Sequence, residues 1–311
     1  MNSKILWGVG AVVIITVATI AFLRTGGNQD GRFATYCGTD GKLTKEKPTQ
    51  SNRSYCIDSL STAAGFQPNQ PERYRFKIRD DQGNVLKEFD TVHEKIMHFI
   101  VVRKDLAEFQ HLHPEYNASN SEFTLSDLKL SSDGEYRLFA DFTPTASQAD
   151  QTGQKLPVTI YEDVIVGDIA KYQAQPLGDP TTTKTVDGYT VALSTSVATL
   201  ASNVESELKF SLKQGNAPVT DLKPYLGAFG HAVILRKETL EFIHAHPITT
   251  TQPKDGIVNF MTTLPRAGTY KVFGQFQIDQ KVITADFVLK AAEGSEPANP
   301  GMMEDMPGMN H

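Results

Sequence analysis

The sequence predicts an all-β protein made of two tandem sandwich domains that follow an N-terminal transmembrane helix. The chain has 311 residues, which exceeds a typical single domain, so two domains are expected. Short β-type runs, several with alternating apolar and polar side chains, recur between turn signals, and helical periodicity is scarce. Many short strands separated by regular turns are typical of a sandwich or a barrel.

Composition divides the chain into six segments. An apolar start is followed by a polar stretch, two β-rich regions with a Pro- and Gly-rich connection between them, and a Met-rich end. The predicted boundaries are 1–27 for a membrane anchor, 28–69 for a juxtamembrane linker, 70–169 for the first sandwich, 170–185 for a second linker, 186–291 for the second sandwich and 292–311 for a flexible tail.

The first segment is the predicted anchor. Residues 5–23 form an apolar run interrupted only by Gly and Thr, with Lys4 before it and Arg24 after it. About 20 apolar residues span a bilayer as a helix, whereas a cleaved signal peptide has a shorter core and small residues at its cleavage site. We therefore expect an uncleaved signal anchor in a single-pass protein of the cell membrane, with a cleaved signal as the alternative. The positive flank stays in the cytoplasm, so the body is expected to be extracytoplasmic, in the periplasm or on the cell surface.

Both cysteines of the chain, Cys37 and Cys56, lie in the predicted linker 28–69. In an oxidising compartment two cysteines are most simply a disulfide. A thiolate metal site is the alternative, although no His lies beside either residue. We expect a disulfide that closes a small loop next to the membrane.

The two β-rich regions are copies of one another. Three pairs of stretches match: 97–104 with 230–237, 108–114 with 241–247, and 134–139 with 268–273. The last pair requires one inserted residue, which a loop between strands tolerates. Tandem duplication of one domain explains this pattern.

Six of the eight histidines occupy matching positions in the repeat. They are His98, His111 and His113, and then His231, His244 and His246. Each copy reads H-x12-H-x-H-P, and residues i and i+2 of a strand share a face. A hairpin turn centred between Asp105 and Leu106 would place His98 opposite His113, since directly opposed residues also share a face. A register shift of one residue would move His98 to the other face.

Three converging neutral imidazoles in each repeat predict a metal site in each repeat. Imidazole suits several transition metals, and the order of affinities favours copper first and zinc second. His93 is a further candidate ligand, and because its counterpart is Leu226 the two sites are expected to differ. Thioethers of the Met-rich tail favour Cu(I), with chance composition as the alternative. A structural polar cluster and a metal-free functional site remain the alternatives to metal binding.

The stretches 92–114 and 225–247 resemble bacterial exported proteins of the YtkA-like and cupredoxin-like type, which are linked to the handling of copper and other heavy metals. The resemblance covers roughly residues 70–290, and the repeated His motif carries it. It implies an immunoglobulin-like or cupredoxin-like sandwich and a role in metal binding, tolerance or delivery. A blue-copper site requires a Cys thiolate, and residues 70–169 and 186–291 contain no Cys, so electron transfer of that kind is not expected.

The expected function is therefore an extracytoplasmic metal-binding protein, not an enzyme, that buffers, delivers or confers tolerance to copper, or else zinc. Its expected partners are the metal ion, the membrane through the N-terminal helix, and a metal transporter or metalloenzyme. The chain has a net charge of −6 and no clustered basic footprint, so nucleic acid is not an expected partner.

Two alternatives belong to other classes of function. A zinc-dependent hydrolase or hydratase would need a general base, for which Glu94, Glu115 and Asp141 are candidates. The counterparts of Glu115 and Asp141 in the second repeat are Ile248 and Gln275, which weakens this hypothesis. The other alternative is a structural or adhesive module of tandem sandwiches on a membrane stalk.

Overall fold

The computed structural model describes residues 33–34, 55–61, 65–146, 155–245, 247–249 and 251–294. The strands of the first half are β1 (Phe33–Ala34), β2 (Tyr55–Ser59), β3 (Pro71–Asp80), β4 (Phe89–Asp90), β5 (His98–Arg103), β6 (Phe109–Leu112), β7 (Glu115–Asn117), β8 (Glu122–Lys129), β9 (Gly134–Pro144) and β10 (Val158–Val166). Within the described ranges the one helical element is a 3-10 turn at Ile169–Lys171.

The second half contributes the remaining strands. They are β11 (Thr183–Val186), β12 (Tyr189–Thr195), β13 (Leu200–Ala201), β14 (Glu205–Gln214), β15 (Ala217–Pro218), β16 (Leu222–Lys223), β17 (His231–Arg236), β18 (Phe242–Ala245), β19 (Ile257–Thr263), β20 (Gly268–Ile278) and β21 (Lys281–Ala292). The prediction of an all-β protein is confirmed.

Each half is a sandwich of two sheets. In the first half, the sheet β1-β10-β9-β5-β6 faces the sheet β2-β3-β8-β7, and Phe76, Phe99 and Phe123 are fully buried between them. In the second half, the sheet β13-β21-β20-β17-β18 faces β11-β12-β14-β15, and Phe210 and Phe260 are fully buried in its core. The first-named sheets have corresponding strand orders, as a duplicated domain requires.

The predicted linker 28–69 is corrected at its C-terminal end, because Tyr55–Ser59 forms strand β2 and pairs with β3. Tyr55 and Ile57 pack into the core of the first sandwich, and their burial stabilises the strand. The sequence did not predict it because the surrounding residues are polar. Cys56 is also fully buried in β2. Cys37 lies outside the described residues, so the Cys37–Cys56 disulfide stays a prediction.

The predicted anchor and the Met-rich tail fall almost wholly outside the described ranges, since residues 1–32 and 295–311 are not among them. Among the residues that are described, no helix is long and apolar enough to cross a membrane. The single-pass anchor and the copper-binding tail therefore stay predictions.

A third hydrophobic cluster lies between the two sandwiches. It combines Ile100 and Val102 of β5 with Val233 and Leu235 of β17, and all four side chains are buried. Every residue of β5 is buried, because one face of the strand lies against its own core and the other against the second sandwich. The two His-bearing sheets therefore pack outer face to outer face.

Aromatic pairs make this interface approximately two-fold symmetric. Phe109 stacks on Phe273 with ring centroids 4.1 Å apart, and Phe139 lies 5.2 Å from Phe242. In the repeat, Phe109 corresponds to Phe242 and Phe139 to Phe273, so the second pair is the symmetry counterpart of the first. The contact is self-complementary, like the isologous contact of a homodimer.

Candidate metal centre

The hairpin of β5 and β6 has the register that the sequence predicts. The ladder pairs Phe99 with Leu112, so the next step outward places His98 opposite His113. In the second repeat, Ala232 pairs with Ala245, which is the register that the same turn position predicts. His246 itself lies outside the described residues.

His98, His111 and His113 form a compact triad, and one ring nitrogen from each lies within 4.8 Å of the other two. The ring centroids are 5.3, 5.1 and 4.9 Å apart. Imidazoles that share one tetrahedral ion at a bond length of about 2.0–2.1 Å have centroids about 5 Å apart. The predicted convergence of these three side chains is confirmed, and its dimensions suit one ion.

His231 and His244 of the second repeat join the same cluster. The ring of His244 lies 5.2 Å from that of His98 and 5.8 Å from that of His111, and His231 lies 5.7 Å from His244. A separate ion site in each repeat stays a prediction, but the described histidines of the second repeat lie beside the triad and not apart from it. The physical reason is that the faces bearing the histidines are the faces on which the two sandwiches pack.

Two of the rings are oriented by backbone carbonyl groups. His98 Nε2 lies 3.2 Å from the carbonyl oxygen of Val92, and His231 Nε2 lies 2.8 Å from that of Tyr225. A carbonyl oxygen only accepts, so each Nε2 carries the hydrogen and donates it. In the neutral rings Nδ1 therefore holds the lone pair.

Two other rings are oriented by side chains of the opposite sandwich. His111 Nδ1 donates to Gln275 Oε1 at 2.7 Å, and His244 Nδ1 donates to Asp141 Oδ2 at 3.0 Å. Asp141 also accepts from Thr159 Oγ1 at 3.0 Å. These bonds leave Nε2 of both rings as the nitrogen with the lone pair, which is how a metal-binding histidine is commonly held.

Asp141 and Gln275 were missed as partners of the histidines, although Asp141 was considered as a catalytic base. They lie directly opposite His98 and His231 on the neighbouring strands β9 and β20. The signal available in the sequence was their matching position in the repeat. Their actual role depends on the packing of the two sandwiches, because each accepts a hydrogen bond from the other repeat.

As a result, the lone pairs of His98 Nδ1 and His111 Nε2 face one another. His98 Nδ1 and His111 Nε2 lie 3.0 Å apart, and His113 Nε2 lies 3.3 Å from His98 Nδ1. Two neutral acceptors at hydrogen-bond distance repel each other, and a cation bound between them removes the repulsion. Nitrogen ligands of one tetrahedral ion lie about 3.3 Å apart at a bond length of about 2.0–2.1 Å.

Burial keeps the rings neutral, as metal binding requires. Burial, with smaller contributions from neighbouring imidazoles, lowers the pKa of His111 to about 2 and that of His113 to about 3. Burial likewise lowers the pKa of His231 to about 4 and lowers the pKa values of His98 and His244. At neutral pH all of these rings are available as ligands.

The lowered pKa values predict that the metal-free protein loses stability in acid. Unfolded histidines protonate near pH 6.5 while those in the folded cluster stay neutral, so the unfolded state binds more protons below that pH. The free energy of unfolding is expected to fall steadily from pH 6.5 toward pH 4. Burial raises the pKa values of Asp141 and Glu162, and these two carboxyl groups oppose the trend only in part.

Urea unfolding in EDTA at pH 7, 6 and 5 measures this dependence. A His111→Gln variant should show a shallower decline than the parent protein. Equal stability at pH 7 and pH 5 in the parent protein would contradict the burial of neutral imidazoles.

Two of the candidate general bases, Glu115 and Asp141, have different surroundings in the structure. Glu115 lies on β7, in the sheet that does not bear the histidines, and it is exposed. Asp141 is held by His244 and Thr159. The arrangement therefore fits ligand orientation better than proton transfer to a substrate.

These features define a class: a tandem β-sandwich protein that encloses a histidine cluster between its two sandwiches. The chain belongs to the family described as "Domain of unknown function (DUF8832)", whose sequence model matches residues 57–154 and 184–293. The two matched stretches correspond to the two sandwiches. No curated protein matches the chain.

Similar solved structures are distant. They include the Escherichia coli adhesin FdeC, at 15% identity over 76% of this chain and 64% of that chain, with a TM-score of 0.25. Salmonella α2-macroglobulin is 11% identical over 77% of this chain and 15% of that chain, with a TM-score of 0.23. A titin fragment, A168–169, is 10% identical over 78% of this chain and 99% of that chain, with a TM-score of 0.17. This chain thus spans less than two thirds of the adhesin, and scores this low carry no argument about function.

Proposed function

We propose that this protein binds a transition-metal ion, copper first and zinc second, at the triad of His98, His111 and His113. The single observation that carries the proposal is the approach of His98 Nδ1 to His111 Nε2 at 3.0 Å, with the other nitrogen of each ring committed to an oxygen acceptor. A cation between these nitrogens turns a repulsive contact into a favourable one.

The ligand chemistry supports the choice of metal. Three neutral imidazoles without a thiolate suit Cu(II) and Zn(II), and Cu(II) binds such a set more tightly. The Asp141 carboxylate accepts a hydrogen bond from His244 Nδ1. Its negative charge lies next to the cluster and partly compensates the positive charge of a bound ion. Cys56 lies on β2, in the sheet that does not bear the histidines, so it adds no thiolate ligand.

The biological role proposed for this site is to buffer copper, confer tolerance to it or deliver it outside the cytoplasm. The apolar N-terminal run supports attachment to the membrane, and the Met-rich tail, with its soft thioethers, supports the transfer of Cu(I). The resemblance of the repeated His motif to YtkA-like and cupredoxin-like proteins points in the same direction. The proposed partner that accepts the copper ion is a metal transporter or a metalloenzyme.

Removal of two ligands tests the site. The His111→Gln/His113→Gln variant keeps only His98 of the triad. Its affinity for a metal ion at this position is expected to fall by at least about 100-fold. Loss of a hydrogen-bond partner of one ligand alone costs about 10–100-fold in affinity. Competition with a chelator of known affinity, after the full-length protein is loaded with Zn²⁺ or Cu²⁺, measures the change.

His311→Gln is the matched control, because it removes a histidine of the C-terminal tail rather than one of the cluster. It should bind metal at the triad as the parent protein does. Equal affinity in the parent protein and in the double variant would refute the proposed site.

A structural module is the second candidate, and the interface between the sandwiches favours it. Aromatic stacking and the shared apolar cluster join the two domains without any ion. On this hypothesis the protein is a rigid tandem spacer or adhesive module on the membrane. Absence of metal binding in the parent protein, together with intact folding in EDTA, would favour this function over the first.

A further inference from the structure

We propose that His93, His231 and His244 form a second ion position beside the triad, with ligands drawn from both repeats. This inference rests on the proposed function, because it extends the same histidine cluster. It differs from a one-site-per-repeat arrangement, since His93 belongs to the first repeat and the other two residues to the second. An ion at this position would bind both sandwiches at once.

The three rings lie close together. His231 lies 5.7 Å from His244, His93 lies 5.8 Å from His231, and His93 lies 6.4 Å from His244, measured between ring centroids. Rings that share one ion lie about 5 Å apart. The rings of this second set are slightly farther apart than those of the triad. His93 is half-buried, and a small movement of its ring toward the other two would bring the centroid distances close to about 5 Å.

The buried members of the set are already oriented as ligands. His231 donates its Nε2 hydrogen to the carbonyl of Tyr225, and His244 donates its Nδ1 hydrogen to Asp141. The other nitrogen of each neutral ring is therefore the one with the lone pair. This is the same arrangement that orients His98 and His111 in the triad.

The backbone turn at His93 fixes where its ring lies. His93 and Glu94 both have left-handed backbone angles, with φ of 50° and 64°. Turns of this kind prefer Asn and Gly, and the counterparts Leu226 and Gly227 follow the preference only at the second position. The same turn recurs in the second repeat, where Leu226 takes the place of His93. Here the turn holds the ring of His93 beside the histidines of the second repeat.

The two ion positions adjoin each other through the ring of His98. His98 of the triad lies 5.2 Å from His244 and 6.4 Å from His231, distances similar to those within each set. Two ions held by adjoining rings of one cluster would therefore lie close enough together for their electron spins to couple, as in two-metal sites with ions about 4 Å apart. Asp141 accepts from His244 and lies opposite His98 on the ladder, so its negative charge serves both positions.

Copper titration of the full-length protein with electron paramagnetic resonance tests this inference. The parent protein should bind two Cu(II) ions, with a spectrum broadened by dipolar coupling and a half-field transition. His93→Asn keeps a residue that tolerates the left-handed turn, and it should bind one Cu(II) with an uncoupled spectrum. His244→Gln should behave in the same way, while His311→Asn in the tail should retain both ions and their coupling.

The outcomes separate the two proposals. One bound copper in the parent protein, or two coppers without coupling, would overturn the second position and leave the triad intact. Two coupled ions in His93→Asn would also overturn it. A parent protein that binds no copper and no zinc would overturn the proposed function itself.

Discussion

Saturating zinc is expected to raise the free energy of unfolding of this protein by about 4 kcal/mol when the free ion reaches about 1,000 times its dissociation constant. The ion binds only the folded arrangement, because His98, His111 and His113 converge from two strands of a hairpin. For two packed sandwiches of this size each kcal/mol corresponds to about 2–4 °C in melting temperature. Thermal unfolding with Zn²⁺ and with EDTA measures the difference.

Magnesium is the matched control for the ion, since Mg²⁺ requires oxygen ligands and should leave the melting temperature unchanged. His98→Gln is the control for the site, because His98 Nδ1 lies within 3.3 Å of a nitrogen of each of the other two rings. Zinc should stabilise this variant much less than the parent protein. An equal shift in both proteins would mean that the stabilising ion binds elsewhere.

Replacement of the stacked phenylalanines between the sandwiches is expected to have the second large effect. Phe273→Ala removes a ring that is 3% exposed and stacks on Phe109 at 4.1 Å. Truncation of a buried Phe costs about 3–5 kcal/mol, because it loses burial and leaves a cavity. Phe139→Ala, the symmetric change, should have a similar cost because Phe139 is 1% exposed and packs on Phe242.

Urea unfolding of both variants measures these costs, and a double-mutant cycle isolates the contact. Phe109→Ala combined with Phe273→Ala should show a coupling energy of about 0.5–1.5 kcal/mol, as expected for an aromatic pair. Phe260→Ala is the matched comparison, because it truncates a fully buried ring within the second sandwich alone. A cost below about 1 kcal/mol for Phe273→Ala would show that the sandwiches do not pack as described.

The interface variants should also weaken metal binding, although no ligand is changed. His111 and His244 are each oriented by an acceptor from the opposite sandwich. Loosening of the interface would remove these acceptors, and the loss of such partners weakens metal affinity about 10–100-fold. Phe260→Ala should leave the affinity closer to that of the parent protein.

The sequence was informative wherever the determining interactions are local. The side-chain period of a strand and the length of a hairpin turn place His98 opposite His113, and the structure confirms that register. Strand β2 was missed because its burial depends on the core of the first sandwich. The roles of Asp141 and Gln275 were missed because their partners lie on the other sandwich.

By itself, then, the sequence determined the all-β fold, the duplication and the convergence of His98, His111 and His113. Only the tertiary structure decided that His231 and His244 of the second repeat lie in one cluster with the triad of the first. The physical reason is the choice of which outer sheet faces pack together, which no local period encodes. The hydrogen bond from His111 to Gln275 joins residues 164 positions apart, and it exists only because the repeated His motif lies at the interface of the two sandwiches.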